Sequence, residues 1–404
     1  MSTDSASAST ESTVYWDPYD PACSAQPYPM YHRMLDEAPL YYNDKHDFYA
    51  VTRYADMERG LPDWQTFSSA RGNILEIIKS GMEIPPGTLI MEDPRIHDIH
   101  RKLLSRVFTV RRIAALEPQV RRFCAGVLDP LTGTDRFDLV AAVGAQMPMR
   151  VIGMLLGIPE GDQASIRDTV DDFLRTEEGG QMDLSGGAVL SNEMLADYID
   201  WRAKNPSDDL MTELLNAEFE DENGVTRKLT RDEVVMYVTV VAGAGNETTG
   251  RLIGWSGSVL AQHPDQRQEL VDDPSLIPNA VEELLRYEPT GHAIARYVTR
   301  DVEFHGATVP AGSAMVFIVA AANRDQRRYP DPDRFDIHRS IGQQMTFGHG
   351  VHFCLGAALA RLEGRIAIEE ILKRFPRWDV DWDGARLAST STVRGWETLP
   401  ITVG

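Results

Sequence analysis

The longest apolar pattern in the chain opens on a complete helix start. Thr230 can cap, and Glu233 stands three residues on, which makes a capping box. Leu229 and Val234 flank it as a hydrophobic staple. Helical periodicity then continues to Gln262, where His263-Pro264 ends it. The predicted helix spans about 48 Å at 1.5 Å per residue. A second helix is predicted over Pro278–Tyr287, and the stretch from Asp93 to Leu215 reads as mainly helical. Short strands are predicted at Leu40–Tyr42, Phe48–Val51, Tyr297–Thr299, Val302–Phe304 and Met315–Val319. Glycine pairs at Gly179-Gly180 and Gly186-Gly187, and the polar turn Asp221–Gly224, interrupt the pattern. The expected class is mainly α with a minor β part (α+β).

Composition narrows the function. The 404 residues are 43% hydrophobic and 25% charged, enough for a large core in a soluble protein. Residues 1–13 are rich in Ser, Thr and Ala and lack a signal-peptide pattern, so they are expected to form a disordered tail. No internal boundary is visible, and residues 14–404 are expected to form one domain. No apolar run is long enough to span a bilayer, which gives the expectation of a cytoplasmic protein with no membrane span, and a monomer is expected. The net charge of −21 argues against nucleic acid as a partner. One segment runs against that charge: Arg95, Arg101, Lys102, Arg106, Arg111, Arg112, Arg121 and Arg122 face only Asp98 and Glu117. It reads either as a solvated helix face or as a docking face for an acidic partner. Of the three cysteines, Cys23 and Cys124 read as incidental thiols.

Cys354 is different. It lies in the run Phe347-Gly348-His349-Gly350-Val351-His352-Phe353-Cys354-Leu355-Gly356. The glycines permit tight turns. Leu355, Leu359, Leu362 and Ile366 then fall on one helical face, which places the cysteine at a helix N-terminus, where a thiolate is favoured. A structural zinc site wants four ligands, and this turn offers His349, His352 and Cys354. A catalytic nucleophile needs a base and an orienting third group, and His352 is the only candidate base. A single thiolate on haem iron needs one cysteine in a loop that presents amides to the sulfur.

The central helix carries a second unusual run, Ala242-Gly243-Ala244-Gly245-Asn246-Glu247-Thr248-Thr249-Gly250. Each interior glycine costs about 1 kcal/mol relative to alanine, which a helix tolerates when something large approaches its backbone. Glu247 beside Thr248 suggests a proton path. The plainer alternatives are a threonine bonded back to its own helix and a surface glutamate.

The segment from Phe347 to Arg361 resembles the haem-binding signature of the cytochrome P450 family, F-x-x-G-x-[H/R]-x-C-x-G, at every fixed position. Ala244-Gly245-Asn246-Glu247-Thr248-Thr249 is similar to the family's [A/G]-G-x-[D/E]-T-[T/S] element. Glu283 and Arg286 match its E-x-x-R element, and Pro332-Asp333-Arg334-Phe335 matches the segment whose arginine joins that pair. The matching elements run from about Asp93 to Arg361.

The resemblance implies a triangular helical prism with small sheets, holding haem b between the central helix and the cysteine loop. It implies Cys354 as the metal ligand, with Ala244, Gly245, Phe347, Gly348 and Gly356 around the haem. His97, Arg101, Arg296 and His352 would hold the propionates; Ile99 stands where many relatives carry a second arginine, which weakens the match at His97. Thr248 and Glu247 would deliver protons for cleavage of dioxygen, and Glu283, Arg286 and Arg334 would form a structural network. Without flavin, nicotinamide or iron–sulfur motifs in the chain, electrons are expected from a ferredoxin and its NAD(P)H-dependent reductase. The expected reaction is hydroxylation of a hydrophobic small molecule: a lipid, terpenoid, steroid or aromatic compound. A peroxide-driven haem enzyme and a non-catalytic haem sensor or carrier are the alternatives. Ile74, Leu75, Val241, Ala244, Ala293, Ile294 and Val393 are candidate pocket residues, with Ile77, Ile78 and His292 beside them.

Overall fold

The central helix runs from Arg231 to Gln262 in the computed structural model, which describes residues 14–184 and 193–404. Its capping box forms: Glu233 N donates to Thr230 Oγ1 at 3.2 Å, and Thr230 N donates to Glu233 Oε2 at 2.7 Å. Leu229 and Val234 are both buried beside it, as a staple requires. At the far end His263 leaves helical geometry and Pro264 begins the next helix, Pro264–Asp272. Twenty of its 32 residues are buried. That makes it a core helix rather than a surface one, because a surface helix keeps one polar face.

Helices pack on two sides of this rod, and the main sheet lies apart from it. The helix Met147–Leu156 and the π-helical turn Val140–Gly144 lie on one side. The helix Ala357–Arg374 lies on another and is itself flanked by Glu117–Leu128 and Ile277–Tyr287. The main sheet has five strands in the order 40–43, 48–51, 314–317, 294–298, 67–68. Only the 48–51/314–317 pairing is parallel. The region 93–215 is mainly helical, but Arg136–Asp138 forms a strand against Pro400–Val403. That partner lies more than 250 residues away, so no local pattern announces it. The strand expected at Met315–Val319 spans Ala314–Phe317, because Val319–Ala322 turns into a buried helical turn. A short apolar run has no periodicity to separate these states. The expected tail at 1–13 and the pair Gly186-Gly187 lie outside the described residues. Among the described residues no single helix is long and apolar enough to cross a membrane.

One structural assignment is corrected. Glu283 and Arg286 are fully buried and joined in a fork at 2.7 and 2.8 Å. The third member is Arg339, whose Nε donates to Glu283 Oε1 at 3.1 Å. Arg334 points outward, is 69% exposed and reaches only Asp336, at 3.8 Å. It supplies its carbonyl, which accepts from Arg339 Nη2 at 2.8 Å. The physical reason lies in Glu283: its buried charge needs a buried partner, and position 339 faces inward where 334 does not. Arg339→Ala is therefore expected to cost about 3–5 kcal/mol, as loss of a buried partner does. Arg334→Ala should stay within about 0.5 kcal/mol, as surface changes do. Denaturant titration of both variants checks the contrast; equal losses would restore Arg334 to the network.

Candidate haem site

The cysteine loop is held by its own backbone. Gly348 and Gly350 sit at φ +71° and +76°, a region that disfavours side chains. At Gly350 a Cβ would come within 2.7 Å of Pro62 Cα. Gly348 N donates to Met345 O at 2.8 Å, and Cys354 N donates to Phe347 O at 2.8 Å, which closes the loop. The Phe347 ring lies under the Arg361 guanidinium at 4.5 Å and beside Phe353. The following helix begins at Ala357, with Gly356 as its cap, so the cysteine stands just ahead of the first turn.

Burial pushes the Cys354 thiol up, while the amides of Gly356 and Ala357 and the charges of Arg101 and Arg361 pull it down. Burial wins among protein groups alone. Yet the residue is exposed by accessible surface. The two observations agree if the sulfur faces a hollow inside the molecule, surrounded by protein but not touched by it. A metal cation in that hollow would reverse the balance, because a coordinating thiol is deprotonated outright.

Beside the loop lies a cluster of buried donors. The rings of His97 and His352 lie tilted against each other with centroids 4.4 Å apart, and neither Nε2 has a partner among the described residues. Arg296 is buried, and among the described residues its guanidinium hydrogen-bonds only to Ala295 O, at 2.8 Å. Burial holds its pKa down to about 10, with Asp93 acting in the other direction. Arg101 donates to Phe353 O at 2.5 Å, tying its helix (Ile96–Ser105) to the cysteine loop. Burial, then Arg296, His97 and Arg101, lower His352 to about 3. Of the nearby carboxylates, Asp93 takes Ser68 Oγ and Ser69 N, Glu92 pairs with His100, and the exposed Asp98 meets His97 Nδ1 at 3.2 Å, leaving Nε2 to the hollow. One buried and one half-buried arginine, with two neutral imidazoles that keep a free ring nitrogen, call for an acceptor that carries negative charge. The two propionates of haem b fit that requirement, and Cys354 stands next to it.

On the central helix, Ala244 is exposed and Thr248 half-exposed in the middle of an otherwise buried rod. They lie one turn apart, with Val241 a turn earlier, so they share one open face. Thr248 Oγ1 donates to Ala244 O at 2.7 Å, the back-bonded arrangement. Glu247 is not a surface residue. It is 7% exposed and paired with Arg251 Nη2 at 3.2 Å. Behind it is a cavity of about 410 Å³, lined by Gln146, Arg167, Asp168, Arg175, Asn246 and Arg251 among others.

Gly245 needs a different explanation from the one the sequence suggested. A Cβ there would lie 2.5 Å from Ile152 Cδ1, and at Gly250 it would lie 2.6 Å from Gly144 O. These glycines are notches for neighbouring helices, so Gly245 serves packing and its missing side chain does not face a cofactor. The expected pocket residues also divide. Ile74, Leu75 and Ala293 line one small cavity with His292. Val241 and Ala244 stay on the central helix, Ile294 packs in the sheet core, and Val393 bridges Gly291, between two residues, Thr392 and Arg394, that line the small cavity. Arg251 and Arg339 were not anticipated. The first was legible as the i+4 partner of Glu247; the second had no local signal.

The comparisons agree with this geometry. The sequence profile of the cytochrome P450 family matches residues 268–386. Cytochrome P450 123 of Mycobacterium tuberculosis is 38% identical over 393 residues, covering 96% of each chain. The chain belongs to the cytochrome P450 family. Vitamin D(3) 25-hydroxylase of Pseudonocardia autotrophica is 36% identical, covering 94% of both chains. The structure of a P450 EryK mutant in complex with erythromycin B superposes with a TM-score of 0.86 at 33% identity, covering 95% of this chain and 98% of that one. This P450 is accordingly a monooxygenase that binds haem through a cysteine thiolate, built on the α+β fold of its relatives.

Proposed function

We propose that Cys354 is the thiolate ligand of haem b and that this P450 hydroxylates a hydrophobic small molecule with electrons from a ferredoxin and its reductase. The carrying observation is the cluster of Arg296 with the unpartnered Nε2 atoms of His97 and His352, beside an accessible cysteine in a glycine-shaped loop. Bound haem supplies oxygen activation and oxidation of a C–H bond. The chain supplies the rest. Amides of Gly356 and Ala357 stabilise the sulfur charge. Arg101 and Arg296 would offset the propionate charge, and the neutral rings of His97 and His352 would add hydrogen bonds to it. Thr248 holds a hydroxyl on the open face of the central helix. Glu247 passes protons to that side from the polar cavity behind it, where Arg251 keeps its carboxylate in place.

A hydrophobic substrate is supported by the names of the relatives, a vitamin D(3) hydroxylase and EryK in complex with erythromycin B. A ferredoxin partner is supported by the basic segment. Arg112 pairs with Glu213, and Arg121 with Glu117, Glu369 and Glu370. Arg95, Lys102, Arg106, Arg111 and Arg122 remain exposed with no ion pair among the described residues. The bond from Arg101 to Phe353 O puts this segment on the cysteine-loop side. A positive patch there suits an acidic electron donor. The test is the spectrum of the reduced, CO-bound holoprotein. A strongly red-shifted Soret band is expected, and a histidine-type band would end the assignment.

A further inference from the structure

The small cavity that gathers Ile74, Leu75 and Ala293 has a wall of a different character. It measures about 80 Å³, and its lining includes Trp16, Tyr31, Glu76, His292, Ser391 and Arg394. Three of these side chains hold buried polar atoms with no hydrogen-bond partner among the described residues: Glu76 Oε1, His292 Nε2 and Ser391 Oγ. Buried polar groups are nearly always paired, and each exception calls for a cause. Three exceptions around one cavity share a cause most simply if a polar group of a ligand belongs there.

The charges indicate which group. Arg394 is engaged with Glu288 at 2.8 Å and with the carbonyls of Ser24 and Ala25. Asp17, also in the lining, is held by Lys45 at 2.8 Å and by His46 at 3.1 Å. Tyr19 donates a hydrogen bond to the Glu76 carboxylate, and burial with the Glu76 and Asp17 charges pushes its phenol up, so Glu76 gains a neutral donor but no cation. No cation pairs with Glu76 among the described residues, although the residue is only 8% exposed. Burial, with Arg394 and Arg324 nearby, holds His292 well below its usual range, so the ring is neutral. The wall therefore carries one uncompensated carboxylate flanked by a neutral imidazole and a hydroxyl. A buried carboxylate without a cation is costly, and a ligand cation would remove that cost.

The cavity also has a geometric relation to the haem site. His292 lies four residues before Arg296, at the head of the strand Ile294–Val298. At about 3.3 Å per residue the two are roughly 13 Å apart along the chain. That span is within the length of one elongated molecule with its head at Glu76.

We infer that this cavity is a substrate-anchoring subsite, in which Glu76, Ser391 and His292 take the protonated amine of an otherwise hydrophobic substrate. This rests on the haem-thiolate reading and adds a substrate class to it. The test uses ferric holoprotein titrated at pH 7 with N,N-dimethyldecylamine, decanol and decanoate. The blue shift of the Soret band reports displacement of water, and a red shift would report direct nitrogen ligation. The amine is expected to bind at least about tenfold tighter than the alcohol, as a charge-assisted hydrogen bond allows, and decanoate most weakly. Glu76→Gln should bring amine and alcohol together, and Ser391→Ala should narrow the gap. Equal affinities in the native protein overturn the inference, as does a preference that survives both substitutions or an amine that binds only with the red shift. The CO spectrum of each preparation separates the two readings. A missing thiolate band sinks the haem assignment, whereas a normal band with equal amine and alcohol affinities sinks only the anchor.

Discussion

Replacing Cys354 with serine is expected to abolish the red-shifted CO band and reduce NADPH-supported hydroxylation to background. The loop itself should survive. Its closing bond is made by the backbone of residue 354, from N to Phe347 O at 2.8 Å. The left-handed turns belong to Gly348 and Gly350, and Phe347 is clamped by Arg361. None of these needs sulfur. The donor cluster is also untouched, so haem should still be retained by its propionates, in an altered spectral form. A serine hydroxyl is a far weaker donor of electron density than a thiolate, and that donation favours oxygen cleavage. The measurement is paired: haem content by pyridine haemochrome and ligation by the CO difference spectrum. Retention of the thiolate-type band in Cys354→Ser would move the ligand to another residue, for which Cys23 and Cys124 are poor candidates. Burial pushes the Cys124 thiol up to about 12, and Cys23 lies in the wall of the small cavity beside Trp16.

The central helix was legible to the residue, since a capping box, a staple and a proline stop are local chemical signals. The cysteine loop was legible because left-handed turns demand glycine and a lone thiolate demands a cysteine. What stayed hidden depends on distance. Arg334 and Arg339 are both arginines near one motif, and only packing decides which one faces Glu283. Gly245 sits in a motif that borders the haem in this family, yet its missing Cβ makes room for Ile152 from another helix. The seven expected pocket residues are all apolar, and apolar residues serve a core as well as a pocket. The more informative members of the cavity wall are polar: Glu76 and Ser391 carry no sequence motif, and only their unpaired burial marks them.

Glu247→Gln is expected to lower NADPH-supported product formation by about a hundredfold or more, within the range that positioned proton transfer contributes. Thr248→Ala should act differently: NADPH is consumed, product per NADPH falls, and hydrogen peroxide accumulates. Glutamine keeps the volume of Glu247 and can still accept from Arg251 Nη2, which lies 3.2 Å from the native carboxylate. Arg251 also keeps its bond to Trp396 O. Packing is therefore preserved, and what is lost is a group that can take up and release a proton between the 410 Å³ cavity and the Thr248 face. Two readouts isolate that role from a structural one. The solvent deuterium isotope effect on turnover should rise in Glu247→Gln, because proton delivery becomes slower. Product formation driven by added hydrogen peroxide should fall much less than the NADPH-driven rate, because peroxide brings its own protons. If both routes decline equally in Glu247→Gln, the carboxylate serves packing against Arg251 and not proton transfer. If Thr248→Ala stays fully coupled, its bond to Ala244 O is the hydroxyl's whole purpose, and the plain helical reading stands.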